Sequence, residues 1–473
     1  MNFYRFRPAD ALLEKFQELE RQEIYFASPL ELNDALEGFK ELIWIGDRIL
    51  WENLLRHDLL CLTHGVMIAI SSGPDYQFTE IETFVFANES SLPTKEFSEL
   101  HSRICKAFFQ HEDAMTLPDV LADRGNPIRR DELTSYLRLL HHHALNTVLT
   151  QMEEVAQLPV SFMDSPLRQA STKPIAVAAV LNTMKALEQA HPDKPEIAEV
   201  MSSAAEIAAI QQNLILEYHG TSLKCGVAWK TLISEFPARH VRALEQLLYR
   251  DWYTACFVSD PSDASLWGTY GSGHRGVCLK FKATENAECK PALQLHQIRG
   301  WNGSPVYGYL THEFQKVEYS SQFVEIDFFR SLGQLTMPML NRWCRDATGV
   351  PSPLVSDILS ESACWRKRYW EQLMAAITTK LPDWSHEREF RLILSGMSDF
   401  SDPSTRKLQY KFSDLQGIIF GINTTTDVKL QIMKVVEEKC RKERRKDFEF
   451  HQAQYSRRAG KVEITKLSLI KVG

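Results

Sequence analysis

The spacing of apolar residues changes twice along this chain, and the change limits the folds that it can adopt. From about residue 99 to 249, apolar side chains recur every three or four positions, as in "RDELTSYLRLLHHHALNTVLTQMEEVAQL", which is typical of amphipathic helices. Before and after this stretch, "FYRF", "WYTACFVS" and "GVCLKF" have the character of strands. The pattern predicts an α+β fold in which a large all-helical insertion interrupts a mixed β-sheet core.

These changes divide the chain into three predicted parts. Residues 1–98 and 250–473 form the N-terminal and C-terminal parts of the α+β core, and residues 99–249 form the helical insertion. The first 40 residues predict a short strand around "FYRF", a helix "ALLEKFQELERQ" and a second strand "EIYFASP". Near the end, "LQGIIFGI", "VKLQIMKVVEEKCRKE", "FEFHQAQY" and "KVEITKLSLI" predict a strand, a helix and a hairpin.

Composition restricts the classes of partner. The 54 basic and 61 acidic residues give a net charge of -7, which does not indicate a surface bound throughout to nucleic acid or anionic lipid. Nine scattered cysteines without a C-x-x-C pair indicate thiols in a reducing compartment. The N-terminus lacks an apolar signal core, and no run of 18 apolar residues occurs. We expect a cytoplasmic protein with no membrane partner.

The stretch "SLWGTYGSGHRGVCLKF" contains Gly271, Gly273 and Gly276 in the spacing G-x-G-x-x-G. That spacing indicates a dinucleotide-phosphate loop only when a helix follows it, because the helix N-terminus holds the pyrophosphate. Here "VCLKF" follows the glycines and alternates as a strand does. A Rossmann-type site is therefore not expected.

The segment "EREFRLIL" carries the main concentration of charge. As a strand it would place Glu387, Glu389 and Arg391 on one face, and Arg388 with the apolar residues on the other. Neighbouring carboxylates repel unless a basic group, a bound cation or a proton relieves the crowding, and such crowding shifts pKa values at functional sites. The pattern predicts a site, and the alternative is a solvated edge strand.

No metal is predicted. His141, His142 and His143 are consecutive on a helix and point in different directions, so they do not share an ion easily. Cys61 and His64 have ligand spacing without a second pair, whereas zinc needs three or four ligands. The basic run "KCRKERRK" at 439–446 is either a solvated helix end or an electrostatic contact for nucleic acid or an acidic partner.

Several segments in order resemble the bacterial domain of unknown function 2971. They are "YRF" at 4–6, "IYFASPLELND", "CFVSD", "LWGTYGSGHRGVCLKF", "KVEY", "WSHEREFR" and "LQGIIFG". The resemblance spans roughly residues 1–40 and 250–470 and leaves the helical stretch unexplained. Ala35 stands where that family usually has proline. The resemblance implies a fold pattern and leaves the chemistry open.

Three shorter motifs resemble the arginine-serine-glutamate ADP-ribosyltransferases. These are Tyr4-Arg5, Phe257-x-Ser259 and Glu387-x-Glu389, in that order. The sequence departs from the pattern because no glycine follows the arginine and no Ser-Thr-Ser run is present. The resemblance implies a β-sheet core of ADP-ribosyltransferase type and NAD as the substrate.

When the roles of the family's motif residues are assigned to the matching positions, the resemblance implies that Arg5 binds the NAD pyrophosphate. Ser259 would support either the strand or the ribose. Glu387 would orient the acceptor, and Glu389 would hold the nicotinamide ribose. The predicted catalytic residues are Glu389, Glu387 and Arg391, and the predicted cofactor-binding residues are Tyr4, Arg5, Ser259, Trp267, Tyr270 and His274.

The chemistry agrees with these residue types. Breaking the nicotinamide–ribose bond builds positive charge on the sugar, which the Glu389 carboxylate could stabilise, while Glu387 could act as general base. Trp267 and Tyr270 could stack on nicotinamide or adenine, or they could be core aromatics beside a turn. His274 could donate to a phosphate or ribose oxygen. The glycines would then form a mobile wall beside the site.

The resemblance thus implies a toxin-like bacterial effector, of the kind used in antiviral defence, that is an ADP-ribosyltransferase or NAD glycohydrolase. Its partners would be a protein or nucleic-acid acceptor and a regulatory protein at the helical insertion. A non-catalytic regulatory or ligand-sensing module remains the alternative. A nuclease is a third possibility, although the usual order of its metal-binding acids and lysine is not found.

Overall fold

Two units of structure are formed from alternating pieces of the chain. A computed structural model describes residues 1–79, 85–86, 94–156, 177–194, 196–219, 226–396 and 398–471. The first unit comprises Met1–Phe39, Asp251–Val324 and Met374–Gly473, and the second comprises Lys40–Arg250 and Glu325–Leu373.

The division departs from the predicted boundary between residues 98 and 99. The second unit contains all of 99–249, but it begins at Lys40 and also takes in Glu325–Leu373. The reason is that the helix Arg48–Ser72 packs on helices of the predicted insertion. The insertion is also not entirely helical, since it contains the short strand Ile128–Arg129.

The strands are numbered in chain order. In the described part of the chain they are β1 (Asn2–Arg7), β2 (Glu23–Tyr25), β3 (Glu41–Trp44), β4 (Ile128–Arg129), β5 (Tyr253–Val258), β6 (Val277–Lys282), β7 (Thr284–Glu285), β8 (Pro291–Trp301), β9 (Pro305–Glu313), β10 (Gln315–Lys316), β11 (Glu318–Tyr319), β12 (Glu325–Asp327), β13 (Thr379–Lys380), β14 (Glu389–Leu394), β15 (Lys407–Tyr410), β16 (Leu415–Phe420), β17 (Glu449–Ser456) and β18 (Lys461–Lys466).

The α-helices are numbered in the same way. Over the same residues they are α1 (Glu18–Arg21), α2 (Arg48–Ser72), α3 (Lys95–Phe108), α4 (Glu112–Ala122), α5 (Arg130–Ala156), α6 (Val177–Ala190), α7 (Ile197–Tyr218), α8 (Val227–Lys230), α9 (Phe236–Ala243), α10 (Ala264–Thr269), α11 (Met337–Cys344), α12 (Ser356–Leu359), α13 (Ala363–Ile377) and α14 (Thr426–Glu443).

The first unit is built on an eight-stranded sheet with the order β10-β14-β5-β1-β6-β16-β17-β18. Its strands pair antiparallel except for β16 and β17, which are parallel and are joined through α14. A second sheet has the order β2-β15-β8-β7, and β9 pairs with β8. The chain combines many helices with a main sheet that is almost entirely antiparallel, so the architecture is α+β as predicted.

The main core of the first unit is shared by both sheets and α14. Phe3 and Phe257 come from the eight-stranded sheet, Leu293 and Leu408 from the second sheet, and Val436 from the helix. These side chains are at most 4% exposed, because alternate residues of each strand and one face of the helix point into this core. The opposite face of the large sheet has a smaller apolar cluster, described with the site below.

The second unit is mainly helical. Helix α2 packs against α3, α4 and α5, and α5 also packs against α7 and α9. A three-stranded sheet, with the order β12-β3-β4, completes this unit. The side chain of Asp47 accepts a hydrogen bond from the Leu50 amide and caps the start of α2, and Gly73, with φ of 93°, follows its last residue.

Helix α2 has the length and composition of a membrane-spanning segment. Its most apolar window is nevertheless 67% buried within the protein, as is typical of a helix in a protein core. It is the only such helix among the described residues.

Candidate functional site

The eight-stranded sheet opens between β1 and β5. Strand β1 pairs with β6 along six residues, but it meets β5 only at Tyr4 and Val258. Farther along β5, Thr254 forms a bridge with Ala27 instead. A cavity of about 310 Å³ is lined by both strands at this opening and by the residues that precede β14. This volume is at the lower end of the range for small-molecule sites.

A buried network of ion pairs forms one wall of the cavity. The Lys380 ammonium lies 2.8 Å from a Glu387 oxygen and 3.3 Å from a Glu389 oxygen. Arg391 donates to both Glu389 oxygens, at 2.9 and 3.1 Å, and its Nη1 lies 2.6 Å from Glu37. All five side chains are at most 5% exposed. Two buried cations therefore hold three carboxylates together.

The convergence of Glu387 and Glu389 has a different cause from the predicted strand alternation. Glu387 ends a 3₁₀-helix, Pro382–Glu387, and Arg388 adopts a left-handed conformation with φ of 47° before β14 begins at Glu389. The turn and Lys380 bring the two carboxylates together. The prediction that both belong to one strand face is wrong for Glu387.

The solvated-edge alternative is also wrong. Strand β14 lies between β10 and β5, and Glu389 and Arg391 are 3% and 0% exposed. Of the three ways in which the crowding could be relieved, the structure has neighbouring basic groups, namely Lys380 and Arg391. Neither Lys380 nor Glu37 was among the predicted site residues. Only the folded chain brings Glu37 to residues more than 300 positions later.

The network fixes the charge of Glu389. Burial raises the pKa of its carboxyl group, but Arg391 and Lys380 outweigh burial and bring the pKa below its ordinary value. Burial dominates at Glu37 and raises its pKa despite Arg391. Burial lowers the pKa of Lys380, but Glu389 and Glu387 reverse the shift and raise it. Glu389 is therefore ionised near neutral pH in a poorly solvated place, where electrostatic interactions are strong.

Two tyrosines hold the acidic residues in place. The Tyr270 hydroxyl donates to Glu387 at 2.6 Å, and burial together with this bond raises the pKa of Tyr270. The Tyr319 hydroxyl accepts a hydrogen bond from the Glu389 amide at 2.9 Å, and burial raises the pKa of Tyr319 to about 12. Both phenols are therefore neutral near pH 7.

Arg5 contributes a buried positive charge to the same cavity. Its Nη2 donates to the Tyr25 carbonyl at 3.0 Å, and the guanidinium lies 5.5 Å from the centre of the Phe257 ring. Nη1 is buried and has no hydrogen-bond partner among the described residues. Burial lowers the pKa of Arg5 to about 10, so it stays charged near neutral pH. A buried guanidinium with a spare donor favours an anionic ligand.

A second cavity adjoins the first. It has a volume of about 240 Å³ and shares Arg7, Tyr25 and Glu31 with the larger cavity. Phe16 and Lys407 complete much of its wall. Arg7 is held by Glu18, with 2.7 Å between Nε and Oε2. Two neighbouring cavities lined by the same arginine suit a ligand with two ring systems joined by a charged linker.

The cavity brings together five of the nine predicted site residues. A sixth, Arg391, lies behind Glu389, whereas Ser259, Trp267 and His274 do not line the cavity. The five that line it are Tyr4, Arg5, Tyr270, Glu387 and Glu389.

Trp267 has the second of its two predicted roles, that of a core aromatic. It is fully buried in the small apolar cluster, its ring meets Phe6 edge to face, and its Nε1 donates to the Pro261 carbonyl at 2.8 Å. No face of the indole is left for a ligand. The amide of His274 donates to the Trp267 carbonyl at 3.0 Å, so this turn packs on the core.

The glycine loop joins α10 to β6, as the alternation in "VCLKF" predicted. The Gly273 amide donates to the Gly268 carbonyl in α10 at 3.1 Å, and the Gly276 amide donates to the Gly271 carbonyl at 2.8 Å. A Cβ atom at Gly276 would lie 2.5 Å from the Arg7 carbonyl oxygen, so close backbone packing requires glycine there. None of the three glycines lines the cavity. Their structural role is a tight turn, and a mobile wall beside the site is not what this geometry favours.

The basic run at 439–446 is largely engaged in local contacts. Lys439 donates to the Glu20 carbonyl at 2.5 Å, and Arg445 donates to the carbonyls of Phe412 and Leu415. Arg441 and Lys442 form ion pairs one turn away, with Glu437 and Glu438. These contacts join the end of α14 to neighbouring loops. Because several of the basic side chains already have partners within the protein, the interpretation as a nucleic-acid contact is disfavoured.

Comparison with protein-family models, curated proteins and solved structures finds no match for this chain. The resemblances to the domain of unknown function 2971 and to the ADP-ribosyltransferases therefore stay predictions. Any assignment of function depends on the cavity itself.

Proposed function

We propose that the cavity binds NAD and that the protein cleaves the bond between nicotinamide and ribose. The observation that carries the proposal is the polarity of the cavity, which is lined both by a buried guanidinium with a spare donor and by an ionised, buried carboxylate. Arg5 would bind the pyrophosphate, and Glu389 would stand beside the nicotinamide ribose. The adjoining cavity would hold part of the adenosine.

The reaction needs little from the protein beyond charge and position. As the C–N bond breaks, its electron pair leaves with nicotinamide and positive charge develops on the ribose, which Glu389 stabilises. The incoming nucleophile bonds to the same carbon and gives up its proton. Glu387, oriented by Tyr270 and Lys380, is the proposed base. A macromolecular nucleophile gives ADP-ribose transfer, and water gives hydrolysis.

In this proposal the protein is a cytoplasmic, toxin-like effector with a regulatory partner. Support for the partner comes from α7, where Ile207, Ile210 and Leu214 are 56%, 58% and 60% exposed. Their spacing of three and four residues places them on one helix face, and exposed apolar faces are typical of protein interfaces.

A ligand-sensing module is the second candidate, and one observation favours it. Both oxygens of Glu389 already accept hydrogen bonds from Arg391, and Lys380 contacts one of them. Such a saturated network can serve mainly to hold the cavity in shape. Arg5 would then bind an anionic nucleotide without turnover.

The test is consumption of adenine-labelled NAD in a bacterial extract. Glu389→Gln should lower turnover by roughly 100-fold or more, as removal of a transition-state contact does. Label retained on protein or nucleic acid would identify a transferase, and loss of NAD without retained label would identify a glycohydrolase. Unchanged turnover in the variant would contradict the role of Glu389.

Glu37→Gln is the matched control, because it removes a carboxylate from the same Arg391 and Lys380 network. If Glu389→Gln lowered turnover only by damaging the ion-pair network, Glu37→Gln would lower turnover as well. In both variants, the loss of turnover would then match the loss of folded protein. Absence of turnover in the folded wild type, combined with binding of ADP-ribose that Arg5→Gln abolishes, would favour the ligand-sensing module.

A further inference from the structure

A cluster of three potential metal ligands lies in the second unit, apart from the residues used above. His57 and Cys61 are one turn apart on α2, and His240 is on α9. One ligand atom from each lies within 4.8 Å of the other two. The three residues are 7%, 3% and 0% exposed.

The outer partners of the two histidines determine where their protons are. His57 Nε2 lies 2.7 Å from the Val85 carbonyl oxygen, which can only accept, so this nitrogen carries the hydrogen. His240 Nδ1 lies 2.7 Å from an Asp58 carboxylate oxygen and carries its hydrogen for the same reason. The other two nitrogens, Nδ1 of His57 and Nε2 of His240, then face each other as acceptors 3.3 Å apart.

Two lone pairs that face each other in a buried place are unfavourable unless a proton or a metal ion lies between them. The separation suits a metal ion. Zn–N bonds are about 2.0–2.1 Å long and Zn–S bonds about 2.3 Å. At the tetrahedral angle, these lengths separate two nitrogens by about 3.3 Å and a nitrogen from a sulfur by about 3.6 Å. The nitrogens are 3.3 Å apart, Cys61 Sγ lies 3.8 Å from each ring nitrogen of His57, and the ligand atoms of Cys61 and His240 lie within 4.8 Å of each other.

The surrounding contacts are also those of a metal site. Histidines that bind metal usually donate their other ring hydrogen to a carboxylate or a backbone carbonyl, which fixes the ring orientation. Asp58 and the Val85 carbonyl provide one such acceptor each. A donor set of two imidazoles and one thiolate favours Zn²⁺ among the common divalent ions.

We propose that His57, Cys61 and His240 bind one Zn²⁺ ion that links α2 to α9. Three protein ligands leave one position of a tetrahedral ion for water or a further group. Because the ligands come from two helices, the ion stabilises the packing of the second unit, and its binding free energy adds to folding stability. The proposal departs from the expectation that the protein uses no metal, and it does not depend on NAD chemistry.

Only two of the three proposed zinc ligands could be recognised from their spacing in the sequence. His57 and Cys61 have the i, i+4 spacing that places two ligands on one helix face. The third ligand lies more than 170 residues farther along the chain, so no local pattern includes it. The pair Cys61 and His64, which attracts attention in the sequence, is not the pair that the structure brings together.

Cobalt titration of the full-length chain tests the proposal. After treatment with a chelator, the protein should bind one Co²⁺ per chain and develop a thiolate-to-cobalt charge-transfer band with the strong visible bands of four-coordinate cobalt. Zn²⁺ should displace the cobalt and raise the unfolding temperature. Cys61→Ser should remove the charge-transfer band, and Asp58→Asn should weaken binding by roughly 10-fold to 100-fold.

Cys105→Ser is the matched control. Cys105 is also a buried cysteine one turn from a histidine, with 3.4 Å between its sulfur and His101 Nε2, but the only cluster of three ligands among the described residues is the one above. The charge-transfer band should persist in this variant. Folded wild-type protein that binds no Co²⁺, or that binds it without a thiolate band, would overturn the proposal even if Cys61→Ser did not fold.

Discussion

At the scale of single residues, the candidate site depends on the pairing of two cations with three carboxylates. This pairing matters for stability because the charges are buried. Arg391 is fully buried and contacts both Glu389 and Glu37. Its Nη1 also donates to the Ile377 carbonyl at 2.6 Å. Surface ion pairs contribute little to stability, whereas removal of one partner from a buried network leaves an unpaired charge that cannot reach water. Arg391 is therefore the residue whose loss should damage the first unit most.

We predict that Arg391→Gln lowers the free energy of unfolding by about 3–5 kcal/mol, because Glu37 and Glu389 lose their main cation. Arg388→Gln is the control three residues earlier, since the Arg388 side chain is 67% exposed and its ion pair with Asp260 is 3.4 Å long. Its effect should stay within about 0.5 kcal/mol. Urea unfolding at pH 7 measures both values, and equal effects would show that the network is not a source of stability.

Residue patterns in the sequence located part of this site and missed the rest for a physical reason. The spacing Glu-x-Glu-x-Arg indicates charge crowding wherever it occurs, so Glu387, Glu389 and Arg391 could be selected from sequence. The fact that Lys380 and Glu37 neutralise this cluster depends on tertiary contacts, for which a local pattern holds no information. The two predicted roles of Trp267 could not be separated for the same reason. An aromatic side chain beside a turn can pack in the core or contact a ligand, and only its burial in the folded protein distinguishes the two.

At the scale of elements, the prediction succeeded where periodicity was strong. The patterns of β5, β6, β16, α5 and α14 predicted three strands and two helices, and the structure has those elements. The expected single helix over "ALLEKFQELERQ" is broken, because Gln17 adopts a left-handed conformation with φ of 53°. The hairpin of β8 and β9 was missed, since much of β9 is exposed and lacks a clear alternation of apolar residues.

The C-terminal strands contain an ion-pair arrangement that depends on a glycine. Lys280 on β6, Gly417 on β16 and Glu449 on β17 lie in register across three neighbouring strands. Gly417 has no side chain, so the Glu449 carboxylate can reach the Lys280 ammonium at 2.9 Å as well as that of Lys466 on β18 at 2.6 Å. The bond from Lys466, followed by that from Lys280, lowers the pKa of Glu449 to about 2, although burial opposes the shift.

This shift predicts how stability depends on pH. The folded-state pKa of Glu449 is below its unfolded value of about 4.3, so its contribution is complete above pH 4.3 and is lost as pH falls toward 2. Because the carboxylate is partly solvated, we expect Glu449→Gln to cost only about 1 kcal/mol at pH 6. The difference from wild type should vanish near pH 2. His451 lies 3.8 Å from Glu449, and burial lowers its pKa below the ordinary value, so it also titrates in this range and the variant must be compared with wild type at the same pH throughout.

At the scale of the whole molecule, the chain enters and leaves each unit more than once. Residues 40–250 and 325–373 form the second unit, and the remaining three segments form the first. The residues of the NAD proposal all belong to the first unit, and those of the zinc proposal all belong to the second. The two proposed ligands should therefore stabilise different parts of one chain, and binding slows local opening where the ligand makes its contacts.

Hydrogen exchange of the full-length protein can separate the two effects in a single set of measurements. ADP-ribose should slow exchange in peptides that contain residues 4–7 and 254–258, which line the first cavity. Zn²⁺ added after chelation should slow exchange in peptides from α2 and α9, which carry the proposed ligands. If ADP-ribose instead protected only peptides of the second unit, the cavity would not be the nucleotide site. If Zn²⁺ protected neither helix while still binding, its ligands would have to be other than His57, Cys61 and His240.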